Sequence, residues 1–235
     1  FSLQNKEEQY VLSIYIANVS LWMDTLDLWE SFSNRIATIY LPDRKRPMLP
    51  TVLSDALCSL QEHRTRFAFT LDIYIDSKTF EIVNVKFLNT IICVRQNLRY
   101  DTPEQEQDAT YIKSLDVIRN LNKKYNYMDS IDTSHEFIAY IMILMNYLTA
   151  KEMKNRKIGI YRYAKYNIEF KPPENVSSEV RKFLKMWNSS GGSYVKYENI
   201  SGHDILDLDA YVHITSPIRR LVDLLNIIKF QEDLN

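Results

Sequence analysis

The stretch YVHITSPIRRLVD, residues 211–223, decides how the rest of this chain is interpreted. Ser216 is a residue type that caps helix N-termini, because its hydroxyl accepts from the free backbone N–H groups of a first turn. Pro217 suits the first helical position, where a missing N–H costs nothing. The stretch therefore predicts a helix over about residues 217–230. Its spacing predicts a buried face made of Ile218, Leu221, Val222, Leu225 and Ile228.

Two arginines, Arg219 and Arg220, fall in the first turn of this predicted helix, where the helix dipole disfavours positive charge. Free N–H groups together with two guanidiniums suit an anion, and phosphate is the anion we favour. The alternative is that both arginines are solvated, or that Arg219 pairs with Asp223. Such a pair, with the cation first, stabilises a helix by only ~0.2–0.5 kcal/mol. Both interpretations stay open at this level.

The bulk composition bounds the class of protein. With 235 residues, of which 46% are hydrophobic, the chain can bury one sizeable core, and residues 1–235 are predicted to form a single domain. The 29 basic residues are balanced by 30 acidic ones, so no global basic field attracts nucleic acid. Any contact with nucleic acid must therefore come from a local channel.

The cysteines and the apolar runs indicate a location inside the cell. Cys58 and Cys93 form no C-x-x-C pair and are too few for a disulfide framework, which favours a reducing compartment, and we expect the cytoplasm. The longest apolar run, residues 137–145, is far shorter than the roughly 20 residues that cross a bilayer. No membrane partner and no signal peptide are predicted. The chain starts at Phe1 without a methionine, so we interpret it as a piece of a longer protein.

The apolar periodicity changes from strand-like to helical along the chain. Alternation predicts strands of an antiparallel meander at residues 10–17, 67–75, 80–87 and 90–95. Helical spacing predicts helices at residues 24–36, 53–60 (a short turn), 102–121, 134–148 and 178–187. Thr102 with Pro103 and the capping box Thr133 to Glu136 supply two of the helix starts, and the helix after Thr133, apolar nearly all round, is expected at the centre. The fold class is therefore α+β, an antiparallel sheet packed with helices.

Ordered blocks along nearly the whole chain resemble the RNB catalytic domain of the RNase II and RNase R exoribonucleases. The blocks are YIANVS (15–20), YLPDR and PMLP with LS and LCSL (40–60), NLRYD (97–101), MILMN (142–146) and the YVHITSPIRR stretch (211–220). The resemblance implies a domain that hydrolyses single-stranded RNA from the 3′ end and releases 5′-mononucleotides. It also implies a Mg²⁺ site of carboxylates, a narrow RNA channel lined by aromatic residues, and flanking OB-type RNA-binding domains.

The resemblance also implies roles for individual residues. By position, Arg219 matches the family arginine that reaches the scissile phosphate, and Arg220 matches its basic neighbour. Tyr40 and Tyr100 match aromatics that pack against the terminal nucleotides, although each could instead fill the core beside a loop. Stacking of this kind stabilises binding by ~1–3 kcal/mol per base.

The basic run at residues 44–46 is the last predicted contact. Arg44, with the two basic residues that follow it, is placed to track RNA phosphates, although charge runs in loops are usually only solvated.

Several positions depart from the family pattern. The aspartates that hold the metal are expected immediately upstream of Phe1. No residue of this chain is therefore predicted to be a metal ligand. Departures also occur at Tyr15, Asn18, Ala139, Tyr140, Leu221 and the pair at residues 227–228. They motivate a competing hypothesis, a catalytically inactive RNA-binding or scaffold protein, and a third, a module with no RNA contact.

Overall fold

The computed structural model describes residues 1–30, 35–102, 107–166, 170–173, 175–189 and 192–234. A four-stranded antiparallel sheet is the centre of the structure, and its strands lie in the order Ser2–Lys6, Gln9–Ala17, Thr65–Asp76 and Ile82–Cys93. The strands and the two-stranded hairpins are β1 (Ser2–Lys6), β2 (Gln9–Ala17), β3 (Ile39–Tyr40), β4 (Lys45–Arg46), β5 (Thr65–Asp76), β6 (Ile82–Cys93), β7 (Ile160–Tyr163) and β8 (Ser193–Lys196). The helices are α1 (Val19–Thr25), α2 (Ala109–Tyr125), α3 (Ser134–Arg156), α4 (Ser178–Trp187) and α5 (Leu221–Leu234), with a π-helical turn at Val52–Leu57 and a 3₁₀ turn at Tyr197–Asn199. The predicted α+β class is confirmed.

One long strand replaces two predicted ones. β6 runs unbroken through Leu88 and Asn89, which pair with Thr70 and Phe69 of β5. The prediction of separate strands at 80–87 and 90–95 is therefore wrong. Nothing between them turns the chain, because neither glycine nor proline occurs there and the ladder to β5 continues in register.

The main core lies between the sheet and helices α2, α3 and α5. Phe69, Leu71, Ile73 and Ile75 of β5 are fully buried and belong to one apolar cluster with residues of those three helices. α3 begins with the predicted capping box, in which Thr133 and Glu136 satisfy each other's backbone N–H groups. Ten residues of α3 are buried, so its predicted central place is confirmed.

A smaller core lies beyond one end of the sheet. Val19 and Met23 of α1 pack there with Met48, Leu49 and Leu224, all of them almost fully buried. The helix predicted at 24–36 is wrong in position, because α1 begins directly after β2 and ends at Thr25. Residues 31–34 of that prediction lie outside the described residues.

The start of α2 also differs from the prediction. α2 begins at Ala109 with Asp108 as its N-cap, whose carboxylate accepts from the backbone N–H of Tyr111 at 2.8 Å. The predicted pair Thr102 and Pro103 does not cap α2, and Pro103 lies outside the described residues. The helix predicted at 178–187 is confirmed as α4.

α5 begins four residues later than predicted, at Leu221, and residues 217–219 form a turn. Its buried apolar residues are Leu224, Ile227 and Phe230, whereas Leu225 of the predicted face is 37% exposed. Ile218, Leu221 and Ile228 of the predicted face pack against the smaller core, as predicted. The prediction missed Asp223 and Asn226, which are fully buried and hydrogen-bonded to backbone groups outside the helix. Among the described residues, no helix is both long and apolar enough to cross a bilayer.

Candidate nucleic-acid interface

The segment of residues 215–220 is held by a buried carboxylate. Oδ1 of Asp223, which is fully buried, accepts from the backbone N–H of Ser216 at 2.7 Å and from Nη2 of Arg220 at 2.7 Å. The predicted N-cap role of the Ser216 hydroxyl is wrong, because α5 begins only at Leu221 and the hydroxyl accepts from Nη2 of Arg219. Burial raises the pKa of Asp223, and the guanidinium of Arg220 opposes that shift.

A second set of backbone hydrogen bonds fixes the same segment from the other side. The N–H of Thr38 donates to the carbonyl of Arg219 at 2.9 Å, and the N–H of Leu221 donates to the carbonyl of Ile36 at 2.9 Å. Ala37 forms an isolated antiparallel bridge with Arg220 between these two bonds. The backbone that carries both arginines is therefore anchored on two sides.

The two predicted site arginines have different environments. Arg220, and not Arg219, forms the ion pair with Asp223, so the alternative in which Arg219 pairs with Asp223 is wrong. Arg219 is exposed, and its Nη2 donates to the Ser216 hydroxyl at 3.3 Å. No carboxylate in the described part of the chain lies within ion-pair distance of Arg219. Its guanidinium is thus available to an anion.

Arg219 lines a cavity of about 350 Å³, which we call the arginine cavity. Four parts of the chain that are distant in sequence surround it: the end of β2, the hairpin β3–β4, the π-helical turn and residues 215–219. The polar residues of its lining include Thr38, Tyr40, Lys45, Ser54, Asp55, Thr215, Ser216 and Arg219. A volume of this size is typical of small-ligand pockets.

A second cavity, of about 750 Å³, contains Tyr100 in its lining, and we call it the Tyr100 cavity. Phe1 and Arg95 line it as well. Tyr15 and Leu60 line both cavities, so the two adjoin. Arg219 and Tyr40 therefore line one cavity, and Tyr100 lines the cavity that adjoins it.

Both predicted aromatic contacts are accessible. Tyr40 is 65% exposed and Tyr100 is 49% exposed, so neither ring fills the core. Tyr100 stacks on the ring of His135 with a centroid distance of 4.0 Å and an interplanar angle of 12°. His135 therefore covers one face of the Tyr100 ring.

Arg44 lies at the tip of the hairpin β3–β4 and lines neither cavity. Its Nε is 3.8 Å from the Asp43 carboxylate, and both side chains are exposed. Arg44 can therefore reach only a nucleic acid that extends outside the arginine cavity.

Sequence reasoning missed an ion pair within the arginine cavity. Nζ of Lys45 is 3.0 and 3.1 Å from the two carboxylate oxygens of Asp55, and the Ser54 hydroxyl donates to Asp55 at 2.9 Å. Lys45 and Ser54 both lower the pKa of Asp55. No local pattern marks this pair, because its members are ten residues apart in different elements.

Two residues that depart from the family pattern, Asn18 and Tyr15, form side-chain hydrogen bonds. Asn18 is buried, with its amide donating to Asn89 at 2.9 Å and its oxygen accepting from Ser20 at 2.8 Å. The hydroxyl of Tyr15 lies 2.8 Å from that of Ser2. The end of β2 thus carries a neutral polar network.

The described residues do not supply a metal site by themselves. No group of three or more His, Cys, Asp or Glu among them could hold an ion. A Mg²⁺ site, which would take oxygen ligands, therefore needs carboxylates besides those of the described residues.

His213 lies beside the segment 215–220. Its Nδ1 is 2.7 Å from the Tyr194 hydroxyl. Burial, and then the charges of Arg220 and Arg162, lower the pKa of His213 to about 3. This histidine is therefore neutral at physiological pH.

Comparison with known proteins identifies the family. Residues 1–123, just over half of the chain, match the RNB domain family, and the chain therefore belongs to that family. It is 25% identical to ribonuclease R of Buchnera aphidicola subsp. Schizaphis graminum over 296 aligned residues, which cover 94% of this chain and 40% of that protein. The curated relatives are ribonucleases, so the family includes RNA-degrading enzymes. The chain spans less than half the length of these relatives.

Two solved structures share the fold. Mycoplasma genitalium RNase R in complex with double-stranded RNA has a TM-score of 0.75 and 20% identity, covering 96% of this chain and 52% of that chain. Yeast Ssd1, a pseudonuclease, has a TM-score of 0.80 and 15% identity, covering 97% of this chain and 36% of that chain. The same fold thus occurs in a ribonuclease and in a pseudonuclease.

Replacing Asp223 tests the anchor of the segment. Asp223→Ala leaves Arg220 without its counter-charge and the Ser216 N–H without an acceptor. We expect the free energy of unfolding, measured with urea, to fall by about 3–5 kcal/mol. Asp223→Asn, which keeps an acceptor oxygen, should lose less, and the exposed Asp43→Ala should stay within about 0.5 kcal/mol of the parent. An Asp223→Ala protein as stable as the Asp43→Ala protein would contradict the anchor.

The lowered pKa of His213 predicts a pH dependence of stability. An unfolded histidine binds a proton near pH 6.5, whereas folded His213 resists protonation until about pH 3. The unfolded chain therefore binds more protons in this window, and His213 makes stability fall as the pH drops, by at most about 1.4 kcal/mol per pH unit. His213→Gln should reduce the loss of unfolding free energy between about pH 7 and about pH 5. His63→Gln, at an exposed histidine, is the control, and equal slopes for both variants would refute the assignment.

Proposed function

We propose that this chain is part of a 3′–5′ exoribonuclease domain that hydrolyses single-stranded RNA to 5′-mononucleotides in the presence of Mg²⁺. One observation carries the proposal: the exposed guanidinium of Arg219, on a backbone anchored at both sides, lines a cavity together with the exposed ring of Tyr40. A fixed cation beside an accessible aromatic ring suits a phosphate and the base attached to it.

The proposed roles follow from these environments. Arg219 contacts the scissile phosphate and stabilises the negative charge that develops on it. Tyr40 and Tyr100 stack on bases near the 3′ end, and Arg44 contacts the phosphate backbone farther out. Arg220, although predicted as a second catalytic arginine, is proposed to position Arg219 through its bond with Asp223.

The metal requirement comes from the family alone. When bound, Mg²⁺ would supply charge neutralisation and an activated water, but the described residues do not provide its ligand set. Flanking OB-type domains and a cytoplasmic location are further proposals about the whole protein. The residues of this chain bind the RNA and neutralise phosphate charge.

A second candidate is an RNA-binding protein of the same fold without catalysis. The neutral network around Asn18 favours it, because the family has an aspartate at this position and the buried amide is already bonded to Asn89 and Ser20. The fold shared with a pseudonuclease is compatible with this candidate.

A degradation assay separates the two candidates. The full-length protein that includes this chain is incubated with 3′-labelled single-stranded RNA and Mg²⁺, and release of labelled mononucleotide is followed. Arg219→Ala should lower the rate about 10²–10³-fold, as expected for the loss of a donor to developing charge. The control is Lys78→Ala, which removes an exposed cation that lines neither cavity.

Each outcome of the assay is informative. An unchanged rate for Arg219→Ala would refute its role. RNA that is bound by the parent protein but never shortened would favour the non-catalytic candidate. A parent protein that neither binds nor shortens RNA would overturn both.

A further inference from the structure

The arginine cavity contains a second cation that the proposed function has not used. Lys45 enters it from β4, whereas Arg219 enters from the segment 215–220. The ammonium of Lys45 contacts both oxygens of Asp55, yet Lys45 is 50% exposed and Asp55 is 46% exposed. Exposed ion pairs are weak, so an entering anion can compete for this lysine.

Lys45 is the direct cross-strand partner of Tyr40. The two residues pair in the register of the hairpin β3–β4, and the N–H of Leu41 donates to the carbonyl of Arg44 at 2.8 Å to close it. Directly opposed residues have Cβ atoms only about 4.5–5.5 Å apart. A nucleotide whose base stacks on Tyr40 therefore brings its own phosphates close to the ammonium of Lys45.

Asp55 opposes RNA in the same cavity. Its carboxylate is the only one in the described lining of the arginine cavity, where it faces the same space as Arg219 and Lys45. A phosphate that enters meets repulsion from Asp55 unless Lys45 stays beside it. An ammonium has three donors, two of which suffice for Asp55, so the third can bind a phosphate oxygen.

We propose that Lys45 is a second phosphate ligand of the arginine cavity, and that Asp55 restrains it and competes with RNA for it. The inference rests on the proposed function, because it takes single-stranded RNA as the occupant of this cavity. It assigns a phosphate-binding role to Lys45 and a role that weakens RNA binding to Asp55, and neither role depends on hydrolysis.

A purely structural ion pair would behave differently. If Lys45 and Asp55 only fastened the hairpin β3–β4 to the π-helical turn, removing either partner would loosen the wall of the cavity and weaken RNA binding. If Asp55 competes with RNA, removing its charge strengthens binding, whereas removing Lys45 weakens it. The two substitutions therefore act in opposite directions only under the proposal.

The test is binding of fluorescein-labelled oligo(A), followed by fluorescence anisotropy in EDTA over a series of salt concentrations. Asp55→Asn, which keeps the shape of the side chain, should lower Kd about threefold, and Lys45→Ala should raise it about fivefold, as expected for one exposed charge. Lys45→Ala should also reduce the slope of log K against log salt by about 0.7, the value for one phosphate contact on a single strand. Lys45→Arg should bind within about twofold of the parent, because it keeps the charge.

Lys78→Ala is the matched control, because Lys78 forms a similar exposed ion pair with Glu8, at 3.1 Å, away from both cavities. It should leave Kd and the salt slope unchanged. Thermal melting of each variant shows whether the fold is kept.

Weaker binding by Asp55→Asn would overturn the inference, as would an unchanged Kd for Lys45→Ala. If either result appears while Arg219→Ala still weakens binding, only this inference fails and the proposed function stands. If Arg219→Ala binds like the parent, or the parent does not bind oligo(A), the proposed function fails and the inference falls with it.

Discussion

The carboxylate of Asp223 is the constraint on which the candidate site depends. A buried charge is unfavourable unless it is paired and hydrogen-bonded, and Oδ1 of Asp223 is paired in this way with the Ser216 N–H and the Arg220 guanidinium. Its position in the first turn of α5 therefore determines the path of residues 215–220. The same bond engages Arg220 and leaves Arg219 exposed in the lining of the cavity, so the two neighbouring arginines have different environments.

The rest of the site follows from where the chain leaves the sheet. β2 ends at Ala17 and passes directly into α1, and the small core around Met23, Met48 and Leu224 fills the space between α1, the π-helical turn and α5. Met48 and Leu49 of this core follow the hairpin β3–β4 in the chain. The N–H of Thr38, just before the hairpin, donates to the carbonyl of Arg219 and holds the segment 215–220 beside it. Elements from different parts of the chain thus place a ring, two cations and a carboxylate around one cavity.

Features that depend on neighbours in sequence were predictable, whereas features that depend on tertiary contacts were not. Alternation in β5 and the capping box at Thr133 identified their elements correctly, and the ordered blocks identified the family. The N-cap at Ser216 failed because α5 begins only at Leu221 and the Ser216 hydroxyl binds the Arg219 side chain. The face of α5 was only partly predicted, because Asn226 is buried with hydrogen bonds to the backbone of Ile160, at 2.8 and 2.9 Å. The pair of Lys45 and Asp55 joins two elements whose proximity no local pattern encodes.

A crystal structure of the protein with single-stranded oligo(A) tests the central claim most directly. The account predicts a phosphodiester in the arginine cavity, within hydrogen-bond distance of the Arg219 guanidinium, while Arg220 still binds Asp223. RNA that lies on another surface, or a phosphate held by Arg220 after its bond to Asp223 has broken, would contradict it.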